Sequence, residues 1–410
     1  MSQHIGAPAI PTVKVGDEVK VGQKIAEADG SVSSPVHASV SGKVKKIENI
    51  LLSSGRTVSA VRIESDGLMT PCEDIKAPTY SDVDGFLAAV RESGLVGLGG
   101  AGFPTAVKLS ALKSGKIDTL VINGAECEPY ITCDTRTMID DTDHVMAGIK
   151  RLQSLVPSLK CVIGIEKNKK ECISILRDTV ANDDSISVVA LPCAYPQGAE
   201  KVLIYNTTRR TVPEGKLPSD VGVIVMNVTS IAFLAKYFED GMPLVSRTVT
   251  FDGSPVVSPK NITVPIGTSL GDLISFCGGL KGEAGKVLFG GPMMGSAAAS
   301  LDEPITKATG AVTVLSAKDS VQKAATACIH CGRCVATCPH KLDPVGYSKA
   351  IEIEDKAQRM QKLEELKINL CIECGSCSYV CPANRPLVQN NRLAKGELRE
   401  YMAHHADLKK

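Results

Sequence analysis

The chain opens in short alternating runs. From Ile10 to about Gly67, Val and Ile recur in brief segments broken by Gly16-Asp17, Gly22, Asp29-Gly30, Gly42 and Gly55, which predicts a small all-β module over residues 1–70. Pro71 to Pro78 reads as a linker. The period then changes: a helical pattern over Val83 to Glu92, a Gly-rich turn, a strand from Asp118 to Asn123, a helix from Thr142 to Leu155, a strand from Lys160 to Glu166, a third apolar run from Val221 to Val228 and a helix from Ser230 to Phe238. Strands alternating with helices imply a parallel sheet, so residues 79–242 are expected to form one α/β domain. Short strands return between Ser246 and Gly295 with a helix predicted from Leu270 to Phe276, marking a further domain over 245–300. From Lys318 the pattern is helical around two cysteine runs, including a helical stretch from Tyr347 to Leu366; residues 318–392 are expected as one domain and 393–410 as a solvated polar tail.

Two of these modules have recognisable patterns. Val15-Gly16-Asp17, Val21-Gly22-Gln23 and Pro35-Val36-His37-Ala38-Ser39-Val40-Ser41-Gly42-Lys43-Val44 resemble the barrel-sandwich hybrid of biotinyl and lipoyl carrier domains. Carriers present a lysine at a hairpin tip, where this chain has Asp29-Gly30-Ser31-Val32-Ser33; the module is therefore expected to serve in structure or docking, without a swinging group. The 245–300 segment, with Val264-Pro265-Ile266-Gly267-Thr268 before its helix and Cys277-Gly278-Gly279 after it, resembles a soluble-ligand-binding β-grasp (SLBB) domain.

At 410 residues the chain exceeds one core, given a rough prior of about 150 residues per domain. Its 46 basic and 45 acidic residues leave a net charge of +1, so no global field favours nucleic acid or an anionic surface, and no nucleic-acid partner is expected. Aromatics are scarce and tryptophan is absent, leaving aliphatic side chains to build the cores. The opening residues have neither the basic nor the apolar region of an export signal, and no run approaches the ~18 apolar residues of a membrane helix. The expectation is a cytoplasmic protein that docks on a membrane partner.

Eight of the 15 cysteines fall in two runs, Cys328-Ile-His-Cys331-Gly-Arg-Cys334-Val-Ala-Thr-Cys338-Pro339 and Cys371-Ile-Glu-Cys374-Gly-Ser-Cys377-Ser-Tyr-Val-Cys381-Pro382. In a chain without an export signal such clusters read as metal ligation. Both match C-x₂-C-x₂-C-x₃-C-P; three thiolates at this spacing wrap three corners of a [4Fe–4S] cubane, and in two-cluster ferredoxins the fourth cysteine ligates the other cluster. One cluster is thus assigned to Cys328, Cys331, Cys334 and Cys381, the other to Cys371, Cys374, Cys377 and Cys338. Structural zinc is the competing reading, but zinc sites usually pair two-cysteine knuckles. Gly332 and Gly375 leave room for close backbone approach, His330 and His340 are read as neighbours of the ligands, and Cys127 and Cys133 are held out of the assignment.

A second candidate site begins at Gly94-Leu-Val-Gly97-Leu-Gly99-Gly100-Ala101-Gly102-Phe103-Pro104-Thr105. A glycine-rich loop ahead of a helix lets backbone N–H groups approach a phosphate or flat ring, with Lys108 as counter-charge; a tight packing loop is the plain alternative. Asn123-Gly124-Ala125-Glu126-Cys127-Glu128 follows a strand directly, at the carboxyl edge where open α/β sheets bind ligands, and its amide and acids suit ribose or ribityl hydroxyls.

With these residues in view, the chain resembles the RnfC family, a component of the Rnf ion-translocating electron-transport complex whose flavin domain is similar to the NADH-oxidising subunit of respiratory complex I. The resemblance runs from Gln3 to Lys395 and rests on Gln3-His-Ile-Gly-Ala-Pro, Pro35-Val-His-Ala-Ser-Val-Ser-Gly, Gly97-Leu-Gly-Gly-Ala-Gly-Phe-Pro-Thr, Asn123-Gly-Ala-Glu-Cys-Glu-Pro-Tyr, Tyr195-Pro-Gln-Gly-Ala-Glu200, Gly290-Gly-Pro-Met-Met-Gly and Cys374-Gly-Ser-Cys-Ser-Tyr-Val-Cys-Pro. It implies a barrel-sandwich hybrid, a Rossmann-like FMN domain, an SLBB domain and an α-helical dicluster ferredoxin domain. It implies further that Gly97, Gly99, Gly100, Ala101, Gly102, Lys108, Asn123, Glu126, Glu128, Tyr195, Gly198, Glu200, Asn227 and Thr229 surround FMN, and that Phe103 and Glu200 flank NADH, Glu200 being the catalytic candidate. The resemblance also carries partners, namely integral membrane subunits that move Na⁺ or H⁺ and an iron–sulfur subunit that meets ferredoxin, and a peripheral place on the cytoplasmic face of the membrane.

Three departures accompany it. Typical members carry a longer segment ahead of Gln3; the complex I relative has a further aromatic for the adenine where this chain has Ser110-Ala111-Leu112; many members have an Ala/Lys-rich extension beyond Lys410. The nearest rival is the cobalamin reductase of propanediol-utilisation microcompartments, in which the barrel-sandwich segment follows the flavin domain. Here it precedes, and the second cysteine run leads into Arg385-Pro386-Leu387-Val388-Gln389 as in the Rnf family. A non-enzymatic electron relay with only the clusters active is the reading from another class.

Overall fold

The computed structural model describes residues 1–53 and 55–407. The first module consists of β1 (Ile10–Pro11), β2 (Glu18–Val19), β3 (Lys24–Glu27), β4 (Val36–His37), β5 (Gly42–Leu51) and β6 (Thr57–Ser65) in two antiparallel sheets, ordered β1-β3-β4 and β2-β5-β6. Val19, Ile25, Val36, Ala38 and Val44 fill the space between them.

The second domain is α/β: α1 (Val83–Glu92), α2 (Thr105–Leu109), β7 (Thr119–Asn123), α3 (Cys133–Asp140), α4 (Thr142–Leu155), β8 (Lys160–Glu166), α5 (Lys170–Thr179), β9 (Ile186–Leu191), α6 (Glu200–Thr208), β10 (Val223–Asn227) and α7 (Val228–Asp240). All four strands are parallel in the order β10-β7-β8-β9. Strand β7 is buried throughout its first four residues, which explains its unbroken Thr-Leu-Val-Ile run. The chain leaves β7 toward β8 on one side and returns as β10 on the other, so the order reverses between β7 and β10, where Asn123 and Asn227 pair as the last residues of their strands.

The third domain is a mixed sheet of β11 (Ser246–Gly253), β12 (Lys260–Pro265), β13 (Ala284–Phe289), β14 (Ser296–Ala297) and β15 (Ala311–Ser316), with α8 (Leu270–Phe276) against it. The sheet runs past residue 300: β15, at 0–1% exposure over Ala311–Val314, lies between β11 and β13. Lys307, just ahead of β15, is buried where three modules meet; its ammonium donates to the carbonyls of Pro35 at 2.6 Å and Gly94 at 2.7 Å. Burial pushes its pKa down to about 7.

The last domain holds α9 (Arg333–Ala336), α10 (Pro344–Ala350), α11 (Lys356–Glu365), α12 (Ser376–Tyr379) and α13 (Leu387–Asp407). Two expectations are corrected here. The stretch from Tyr347 to Leu366 is two helices, because the chain turns after Ala350 and restarts where the Asp355 carboxylate accepts from the Gln358 N–H at 2.7 Å. The supposed polar tail continues α13: Leu387, Asn391, Ala394 and Leu398 recur at helical spacing and are buried, the last two packed with Tyr347, Met360 and Leu363 of α10 and α11.

Candidate functional site

The flavin-type residues gather at the carboxyl end of the parallel sheet. Lys108 on α2 extends to β10, donating to Val225 O, two residues before the strand's end, at 3.0 Å and pairing with Glu200 Oε1 at 2.8 Å. Glu200 is the first residue of α6, where a carboxylate is favoured by the helix dipole. Asn123 donates from Nδ2 to Gly198 O at 2.9 Å and accepts the Ala125 N–H at 3.1 Å, tying the β7 turn to the segment that leads into α6. A Cβ on Gly198 would stand 2.7 Å from Ala125 O, so only glycine allows that approach.

The glycine loop arches over the start of α7. Its Leu98 N–H donates to Ser230 Oγ at 2.9 Å, and Leu98 O accepts from Arg247, a buried guanidinium reaching in from β11, at 2.9 Å. Asn227 caps α7 by accepting the N–H groups of Thr229 and Ser230 at 3.0 and 3.1 Å. Gly99 packs directly on that cap, since a Cβ there would stand 2.4 Å from Asn227 Nδ2. Gly100 and Ala101 face outward, with open space around Gly100, while Gly102 is buried against Gln3, His4 and Ala308; the Gly97 N–H donates to Phe103 O at 2.8 Å.

Three expected residues are engaged by protein partners. Glu126, buried, caps α3 by accepting from Asp134 N at 2.8 Å and Thr135 Oγ1 at 2.5 Å. Asn227 Nδ2 and Thr229 Oγ1 donate to the Asp134 carboxylate at 2.8 and 2.6 Å. Asp134 was not among the residues expected; desolvation, with the Glu126 charge nearby, raises its pKa. Nothing in the local sequence marks it, because it acts on residues 93 and 95 positions away.

Glu128 and Tyr195 face the other domains. Glu128 accepts the N–H groups of Met293 and Met294 at 3.1 and 2.7 Å, and burial raises its carboxyl pKa. Gly291 sits against it: a Cβ there would stand 2.3 Å from Glu128 Oε2. Tyr195 donates its hydroxyl to Cys374 O at 2.7 Å. Gly375, at φ +81°, lies against Met293, whose carbonyl oxygen would be 2.5 Å from an added Cβ. The loop of the second cysteine run is thereby pinned between the flavin-type domain and the Gly290-Gly-Pro-Met-Met-Gly turn.

The eight thiols stand around two cavities. One is lined by Cys328, Cys331, Cys334 and Cys381, with His330, Arg333 and Arg385 also on its wall. The other is lined by Cys338, Cys371, Cys374 and Cys377, with His340, Glu373 and Asn391. Each run therefore sends its fourth cysteine to the other run's three, around a hollow and with a purely sulfur donor set, which fits a cubane. Backbone N–H groups approach the sulfurs, His330 N to Cys328 Sγ and Leu342 N to Cys338 Sγ, each at 3.4 Å. Helix α13 adds Asn391 Nδ2, 3.7 Å from Cys371 Sγ, and Lys395 Nζ, 2.5 Å from Cys371 O. The reading of 393–410 as a tail hid Lys395, although the 391/395 spacing places both residues on one helical face.

Comparison with known proteins agrees with this division. The RnfC barrel-sandwich hybrid domain matches residues 1–68, the Nuo51 FMN-binding domain 90–236, the SLBB domain 248–297 and the 4Fe-4S dicluster domain 327–385. The chain is 44% identical to the C subunit of the Na⁺-translocating ferredoxin:NAD⁺ oxidoreductase complex of Acetobacterium woodii, over 97% of this chain and 90% of that one. It is 43% identical to the counterpart from the proton-translocating complex of Clostridium ljungdahlii (83% and 75% covered) and 37% identical to that from the ion-translocating oxidoreductase complex of Rhodobacter capsulatus (98% and 77%). In fold it is similar to a chain of an NAD⁺-reducing [NiFe]-hydrogenase, with a TM-score of 0.54 at 18% identity over 77% of this chain and 63% of that one. The four matched domains and the identity along almost the whole length establish that this oxidoreductase chain, with an FMN domain and a dicluster iron–sulfur domain, belongs to the RnfC family of the Rnf ion-translocating electron-transport complex.

Proposed function

We propose that the chain is the peripheral, cytoplasmic-face subunit through which an Rnf-type ferredoxin:NAD⁺ oxidoreductase exchanges electrons with NAD(H), while partner membrane subunits couple the flow to Na⁺ or H⁺ movement. The observation that carries this reading is the direct seam between the flavin-type domain and the second cysteine run, Tyr195 Oη to Cys374 O at 2.7 Å. The relatives named for ferredoxin:NAD⁺ oxidoreduction support the substrates. No helix among the described residues is long and apolar enough to cross a membrane, consistent with attachment through partners.

FMN would be held between the Gly97–Gly102 loop, Lys108, Asn123, Gly198 and the α7 cap at Asn227 and Thr229, at the point where strand order reverses. The open face of Gly100 and Ala101 leaves room for a flat ring, and the partly exposed Lys108 supplies the cation. When bound, flavin divides a two-electron hydride into single electrons of the kind cubanes carry. Glu200, 41% exposed and paired with Lys108, orients that lysine and would present a carboxylate to the nicotinamide nucleotide. Tyr195 and the Met293–Met294 peptides hold the second cysteine loop against the flavin-type domain. Anaerobic purification with iron, sulfide and flavin quantification, followed by NADH addition, tests the reading: flavin and cluster absorbance should bleach together. Iron–sulfur bleaching without flavin, or no response to NADH, would contradict it.

A further inference from the structure

We infer that Lys395 and Asn391 of α13 raise the reduction potential of the iron–sulfur group held by Cys338, Cys371, Cys374 and Cys377, an inference that rests on the cluster assignment above. The two residues lie four apart on one face of the helix and meet the same ligand residue. Asn391, 1% exposed, lines the cavity and directs Nδ2 at Cys371 Sγ, 3.7 Å away. Its Oδ1 is buried without a partner among the described residues, a cost to stability that an apolar side chain would avoid. Lys395, with a side chain 11% exposed, donates to Cys371 O at 2.5 Å and to Glu373 Oε1 at 2.9 Å.

The sign follows from charge. Reduction adds one negative charge around the thiolates, and both an N–H directed at a ligand sulfur and a nearby ammonium stabilise that more negative state. The low dielectric of a buried helix face strengthens both effects. Glu373 opposes them, but its carboxylate is paired both with Lys395 Nζ at 2.9 Å and with Arg392 Nε at 3.4 Å, which offsets its charge. Lys395 and Asn391 are positioning residues, acting through Cys371.

An anaerobic redox titration of the full chain, followed by electron paramagnetic resonance with iron and sulfide assays, tests this. Lys395→Met should lower the reduced-to-oxidised ratio of this cluster at fixed poise about tenfold, a midpoint about 59 mV more negative for one electron. Asn391→Leu should shift it the same way by less, Glu373→Gln should shift it upward, and Lys395→Arg should restore it; the other cluster's signal should stay in place. If Lys395→Met loses the cluster, Glu373→Gln and Asn391→Leu decide: opposite shifts support the inference and unmoved midpoints overturn it. Full iron content with unmoved midpoints defeats this inference alone, whereas zinc in place of iron defeats the cluster assignment as well.

Discussion

The Tyr195 hydroxyl donates to the carbonyl of Cys374 at 2.7 Å, a contact between a loop of the flavin-type domain and a residue of the second cysteine run 179 positions later. On the same side, Met293 gives its N–H to Glu128 and its carbonyl meets Gly375. Three segments thus meet in one polar seam, across which the proposed electron route passes.

Tyr195→Phe removes one neutral hydrogen bond, worth about 1 kcal/mol, or about fivefold in the closed-to-open ratio of the seam. Iron and flavin contents should be unchanged while NADH-driven cluster reduction slows, by up to about that factor, in stopped-flow absorbance. An unchanged rate would show that the contact does not govern transfer.

The thiol grouping predicts which substitutions share a spectrum. Cys381→Ser and Cys331→Ser should abolish the same paramagnetic signal, and Cys338→Ser and Cys374→Ser the other, each at a loss of about half the iron. Grouping by sequence run would pair Cys381→Ser with Cys374→Ser instead.

Two glycine substitutions should separate the cofactors. Gly99→Ala sets a methyl 2.4 Å from Asn227 Nδ2, an amide already held by the α7 cap and Asp134, so flavin content should fall with iron retained. Gly375→Ala adds a Cβ at φ +81° and 2.5 Å from Met293 O, and should deplete iron with flavin retained. Cofactor analysis of the two purified proteins checks both.

Lys307 predicts a pH dependence. Its folded pKa, about 7, lies below the unfolded value of about 10.4, so between these limits the unfolded chain binds the extra proton and stability rises with pH, by up to about 1.4 kcal/mol per unit. Below pH 7 the ammonium is charged in both states and this slope disappears. Lys307→Met should remove the slope in denaturant titrations between pH 7 and 10; an identical pH profile would show that Lys307 is charged when buried.

Much of the architecture was legible because its signals are local. Helices α1, α4 and α8 and strand β8 fall where the apolar period put them, since each carries its own amphipathic or β-branched pattern. The cysteine runs were legible because ligand spacing is itself local. What escaped was long-range: Asp134 beneath Asn227 and Thr229, Arg247 from β11 under Leu98, and β15 inserted into a sheet begun more than fifty residues earlier all depend on tertiary juxtaposition. The α13 error has a different cause: Leu387, Asn391, Ala394 and Leu398 keep a helical period, but Lys395, Glu397, Arg399 and Glu400 around the last of them gave the segment the composition of a solvated tail.

Electrons from NADH should reach the iron–sulfur domain at the Cys338/Cys371/Cys374/Cys377 set, the one in contact with Tyr195 and Met293. Single-turnover NADH reduction of Cys331→Ser and Cys374→Ser, with each cluster followed by rapid-freeze paramagnetic resonance, tests this entry point most directly. Cys331→Ser should reduce its remaining cluster at the rate of the unmodified protein, and Cys374→Ser should leave its remaining cluster oxidised on that timescale. Prompt reduction of the remaining cluster in Cys374→Ser would contradict entry at that set.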